Sequence, residues 1–149
     1  MNEQLKELYK TVILEHNARP FHFEKKEEAG HVLEAYNPLC GDRFQVFLEV
    51  KNGVVTEAYF HGYGCAISKA STSVLIKNLE NQPVEEALEL CRSFLKMTDP
   101  ASEEPVEMTE EFAAFAAVRD FPGRLKCATL SWEAVASALA GGGKPASAG

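Results

Sequence analysis

Two alternating stretches joined by Lys51-Asn52-Gly53 constrain this chain more than any other feature. Phe44, Val46, Leu48 and Val50 alternate with Arg43, Gln45 and Glu49, and Phe47 is the one apolar residue out of phase. Val54, Thr56, Ala58 and Phe60 repeat the pattern after the glycine. A period of two marks a half-buried strand, and an Asn-Gly pair between two such runs marks a hairpin. A three-residue loop with Gly53 in the left-handed region pairs 50 with 54, 48 with 56, 46 with 58 and 44 with 60, which puts the mostly apolar sets on one face. A two-residue turn would set Leu48 against Glu57 and Phe44 against His61, so the longer loop is the expectation. In that register Cys65 projects to about position 39. Cys40, Asp42 and Cys65 are therefore expected at one end of the hairpin.

Helical periodicity surrounds this hairpin. Residues 3–17 carry Leu5, Leu8, Tyr9, Val12 and Ile13 on one face. His31 to Tyr36 reads as a first strand, ended by Asn37-Pro38, because a residue before proline is pushed out of helical geometry. Helices are expected from about Ala66 to Glu80, from Pro83 onward with Val84, Ala87, Leu88, Cys91, Phe94 and Leu95 inward, and over about 124–140 with Leu125, Ala128, Trp132, Val135 and Leu139 inward. Pro122-Gly123 is expected to break the chain before that last helix, leaving Cys127 in its first turn. Thr109 is placed as the cap of a short helix carrying Phe112 and Phe115. Helix, strands, then helices is an α+β order, here with a small antiparallel three-stranded sheet. The 149 residues suit one domain, expected over 1–140, with 141–149 a flexible tail.

Charge narrows the partners. A formal charge of −7 argues against a nucleic-acid partner, which usually demands a basic face. No apolar run approaches the ~18–20 residues of a membrane span, and the first residues lack the apolar core of a secretion signal. A cytoplasmic protein is expected, so its four cysteines are core residues, metal ligands or nucleophiles rather than disulfides.

Cys91 lies on the apolar stripe of its helix and reads as a small core residue. The other three have different surroundings. Cys40 sits in Asn37-Pro-Leu-Cys-Gly-Asp42, Cys65 follows Gly62-Tyr63-Gly64 and opens a helix, and Cys127 follows Pro122-Gly123. Helix N-termini favour thiolates. Three such thiols with Asp42 suit zinc or an incompletely cysteine-ligated iron–sulfur species. None forms a close CxxC pair, however, so the residues alone leave a metal site and a non-metal role both open.

The segments NPLCGD, GYGCAISKASTS and RLKCATLSW, in that order, resemble the signatures of the IscU/NifU family of iron–sulfur assembly proteins. LYKTVILEHNARP resembles the family's first helix and following turn. Within the family the likeness is to the SufU branch: residues 98–118 look like its insertion, and Lys126 stands where scaffold members carry a histidine. An ammonium has no lone pair for a metal, whereas imidazole has.

The resemblance implies a SufE/NifU-like fold and a zinc ion held by Cys40, Asp42, Cys65 and Cys127, with Cys40 the sulfur acceptor and catalytic residue. It implies a SufS-type pyridoxal-phosphate cysteine desulfurase as sulfur donor, a partner histidine that takes the metal position of Cys40, and SufBCD as the cluster-building recipient. The alternative is a scaffold assembling a transient [2Fe–2S] cluster on the same ligands. Arg124 and Lys126 are auxiliary candidates, to steer a persulfide or steady Asp42. His61, His16, His22 and His31 are expected in surface or packing roles, and Glu103, Glu104, Glu107, Glu110 and Glu111 on a solvated face.

Overall fold

The computed structural model describes residues 3–39, 41–102, 110–120 and 122–141. Among the described residues, five α-helices and four strands follow one another as α1 (Glu3–Ala18), β1 (His31–Asn37), β2 (Asp42–Lys51), β3 (Val54–Tyr63), α2 (Ala66–Leu79), β4 (Gln82–Pro83), α3 (Val84–Thr98), α4 (Glu110–Ala113), a 3₁₀ helix (Ala114–Asp120) and α5 (Pro122–Ala140). The fold is α+β, with an antiparallel sheet ordered β1-β2-β3-β4. It has four strands rather than three. The fourth is a two-residue pairing of Gln82–Pro83 with Val54–Val55, too short to show any periodicity in sequence.

The hairpin corrects the expected register. Lys51 pairs with Val54 across a two-residue turn, in which Asn52 (φ 53°) and Gly53 (φ 74°) both take the left-handed conformation of a type I′ turn. Beyond Val50↔Val55 the register shifts, so that Glu49 faces Glu57 and Thr56 is left without a partner in the ladder. Thr56 instead donates its hydroxyl to the Glu49 carbonyl at 3.2 Å. This bulge restores the face that the short turn would have lost: Leu48 meets Ala58, Val46 meets Phe60 and Phe44 meets Gly62. All of these except the glycine are buried core residues.

Leu33 and Ala35 of β1 join that face, which α5 covers at β1 and α2 covers at β3. Val12 and Ile13 of α1 are buried and Tyr9 is half-buried against the core; the side chains of Leu5 and Leu8 lie outside the described residues. Trp132 of α5 is fully buried, stacked on Phe94 of α3 at 3.8 Å and 3° with Phe112 edge-on at 5.6 Å. The last helix begins at Pro122 rather than at 124. A missing N–H costs nothing in the first turn, where that donor has no intrahelical partner, so Pro122-Gly123 opens the helix instead of breaking it.

Glu111 is not on a solvated face. It accepts from Lys77 at 3.2 Å and pairs with His16 Nε2 at 2.8 Å, while His16 Nδ1 meets Ser73 Oγ at 2.7 Å. Burial pushes the Glu111 pKa up, but hydrogen bonds from His16 and Lys77 and their charges outweigh it, and the carboxyl is held below its usual range. Apolar burial of α4 against the body draws this acid inward, and the opposing groups compensate its lost hydration. Glu103, Glu104, Glu107 and Thr109 lie outside the described residues, as does the side chain of Glu110. No helix among the described residues is long and apolar enough to cross a membrane.

Candidate metal centre

Asp42 opens β2 and Cys65 follows β3, so the hairpin places them side by side, as its topology predicts. The Cys65 N–H donates to Asp42 Oδ1 at 2.9 Å, and Cys65 Sγ lies 3.8 Å from Oδ2. Cys65 is also the N-cap of α2: its Sγ accepts the Ser68 N–H at 3.5 Å, and the Ser68 hydroxyl donates to the Cys65 carbonyl at 3.0 Å. Gly64 makes this packing possible. A Cβ there would stand 2.8 Å from Asp42 Oδ1, 2.5 Å from Ser68 Oγ and 2.8 Å from the Phe44 ring.

Cys127 enters from α5 and is buried at 2% exposure, like Asp42. Because α5 starts at Pro122, Cys127 lies in its second turn rather than its first, and the helix dipole, which acts mainly within the first turn, reaches it less. One ligand atom from each of Asp42, Cys65 and Cys127 lies within 4.8 Å of the others. Zinc binds thiolate sulfur at about 2.3 Å and carboxylate oxygen at about 2.0–2.2 Å, so small side-chain movements would let the three share one ion. Two sulfurs and one carboxylate oxygen form a donor set of the borderline-soft kind that suits zinc. Cys40 lies outside the described residues. Its chain neighbours are tethered: the Leu39 N–H donates to Asn37 Oδ1 at 3.1 Å and the Gly41 N–H to the Asn37 carbonyl at 2.8 Å.

The other candidates separate. Arg124 is exposed and acts electrostatically on the Tyr9 phenol, as do Cys65 and Cys127. Burial raises the Tyr9 pKa; Arg124 lowers it, and the two thiols raise it. Tyr9 is thus within electrostatic reach of both thiols, although its sequence signal was only that of one aromatic residue on an amphipathic stripe. Lys126 is exposed, its ammonium paired with Glu133 at 2.8 Å. His61 pairs with Gln45 across the hairpin and packs on the Phe23 ring at 4.7 Å, outside the three-residue group. His16 is buried in its hydrogen bonds, and His22 stacks between Phe21 and Tyr59.

Cys91 is fully buried on α3, and burial alone pushes its thiol up to about 12. A thiol is a poor nucleophile when so little of it is thiolate. In the folded protein iodoacetamide will therefore modify Cys65 and spare Cys91, as peptide mass spectrometry will show. Equal rates at the two positions would overturn the core placement of Cys91.

Residues 8–128 match the NifU-like N-terminal domain family. The chain is 32% identical to the zinc-dependent sulfurtransferase SufU of Bacillus subtilis (strain 168) over 139 residues, covering 93% of this chain and 94% of that one. It is 31% identical to the iron–sulfur cluster assembly scaffold protein IscU of Streptococcus pyogenes serotype M1, over 91% of this chain and 85% of the relative. A crystal structure from Fervidobacterium islandicum AW-1, named as a candidate cluster assembly scaffold for the SUF system, superposes with a TM-score of 0.76 at 29% identity, over 89% of this chain and 97% of that one. Fold, signature segments and overall similarity agree, and the chain belongs to the NifU-like family of SufU and IscU iron–sulfur cluster assembly proteins.

Proposed function

We propose that the protein is a zinc-dependent sulfur acceptor of the SufU kind, working in the cytoplasm between a SufS-type cysteine desulfurase and a SufBCD-type cluster-building complex. The observation that carries this reading is the convergence of Asp42, Cys65 and Cys127, with Asp42 two residues from Cys40 in the chain. Cys40 would be the fourth ligand. A bound zinc ion would keep the coordinating thiols deprotonated at neutral pH and bring no redox chemistry of its own. Residues 98–118 are then the insertion that marks the SufU branch within a single 1–140 domain.

Lys126 favours this reading over the scaffold. Its ammonium is engaged with Glu133 and offers no lone pair to a cluster. The Cys40 thiolate attacks the outer sulfur of the desulfurase's cysteine persulfide. A new S–S bond forms on Cys40 as the donor's S–S bond breaks, and the electron pair leaves with the desulfurase's cysteine as its thiolate. The transfer is redox-neutral. Asp42 keeps the Cys65 backbone in place by accepting its N–H, and Arg124, whose charge reaches the same Tyr9 phenol as the two thiols, is the auxiliary cation for the arriving sulfur. Leu39 at 94% exposure and Tyr63 at 63% offer apolar surface beside the site for docking the donor.

Zinc-loaded, iron-free protein will stimulate alanine release by a SufS-type desulfurase given L-cysteine and a mild reductant. Cys40→Ala will return the rate to that of the desulfurase alone. No stimulation with zinc, together with cluster formation when iron is supplied, would overturn the acceptor reading in favour of the scaffold.

A further inference from the structure

The two thiols of the centre are carried by different helices, Cys65 at the head of α2 and Cys127 on α5, so their separation depends on how these helices are locked together. The lock is polar and buried. Ser71 of α2, 1% exposed, donates its hydroxyl to the carbonyl of Ala128 at 2.5 Å and accepts the indole N–H of Trp132 at 2.9 Å. The direction of both bonds is fixed, because a carbonyl only accepts and an indole N–H only donates. One residue further along α2, Thr72 donates to the Ser68 carbonyl at 2.8 Å and shares a hydrogen bond with Ser131 of α5 at 2.7 Å. Ser68 is the residue that caps against Cys65, and Ala128 is the residue after Cys127.

We propose that Ser71 is a positioning residue for the metal centre: by tying α2 to the Ala128 peptide it holds Cys65 and Cys127 at the spacing of a single ion's ligands. An apolar contact between the helices would resist separation but tolerate sliding, since hydrophobic attraction is non-directional. A hydrogen bond is directional and specifies the axial register as well. The inference rests on the metal-binding reading and adds the residue that sets its geometry.

The test uses full-length protein in a Trp132→Phe background, which keeps the buried ring and removes the indole donor. Adding Ser71→Ala then leaves no N–H unpaired, so the fold is retained while the tie to Ala128 is lost. Zinc affinity is measured by competition with a colorimetric chelator, the thiolate-to-metal absorption of the Co²⁺-loaded protein by spectroscopy, and the metal-free melting temperature by circular dichroism. The double variant is expected to melt close to Trp132→Phe, bind zinc about tenfold more weakly and show a shifted Co²⁺ band. Unchanged affinity and an unchanged band would overturn the positioning role. Failure of the parent protein itself to bind either ion would instead overturn the metal-binding reading, so the two failures are distinct.

Discussion

Asp42→Ala will weaken zinc retention about a hundredfold or more, because the proposed reading makes its carboxylate a ligand, and losing a ligand exceeds the 10–100-fold typical of losing a group that only orients one. The carboxylate has two roles here. It is one of three donors that lie within 4.8 Å of one another, and its Oδ1 accepts the Cys65 N–H at 2.9 Å. Alanine abolishes both and leaves that N–H without its partner, a loss of about 1 kcal/mol of stability for one such bond. Asp42→Asn separates the two effects. Its amide oxygen still accepts from Cys65, so the fold is retained, but a neutral oxygen is a poorer ligand for a dication. Chelator competition and urea denaturation on both variants will show metal affinity lost in each and stability lost mainly in the alanine. Equal zinc retention in Asp42→Ala and the parent would sink the ligand assignment.

The second large effect lies in the core. Trp132→Ala is expected to cost about 3–5 kcal/mol, the range for removing a buried aromatic side chain. That is a large share of the 5–15 kcal/mol by which native domains are stable. The ring stacks on Phe94, meets Phe112 edge-on and donates to Ser71, so one side chain joins α5 to α3, α4 and α2. Stacked and edge-on aromatic pairs add about 0.5–1.5 kcal/mol each beyond area burial. Urea denaturation followed by circular dichroism will measure the cost, since the chain's single tryptophan is the residue removed. A loss under about 1 kcal/mol, well below the range for such cavities, would mean that the helices are held together elsewhere.

Much of this architecture was legible in the chain because it is local. The alternation at 44–50 and 54–60, the apolar stripes and the Asn-Gly pair specify strands, helices and a hairpin through contacts among near neighbours. The same hairpin reading brought Asp42 beside Cys65, since any register close to the expected one puts them at one end. The turn itself was misread. Parity between facing apolar residues can be kept by a three-residue loop or by a two-residue turn with a bulge, and the two are equivalent in sequence pattern. The structure takes the second route, with the bulge at Thr56.

By itself, then, the sequence determined the α+β order, the core stripes, the buried Cys91 and the three signature segments that carry the family likeness. Only the tertiary structure decided that Cys127 meets Asp42 and Cys65, that Arg124 and both thiols act on the Tyr9 phenol while Lys126 pairs with Glu133, and that Glu111 is drawn in against His16 and Lys77. The reason is physical. Periodicity reports which face of an element is apolar, but not the rotation and axial register at which two such faces meet. Those are set by directional contacts between residues far apart in the chain, such as the Ser71 hydroxyl on the Ala128 carbonyl, which leave no periodic trace.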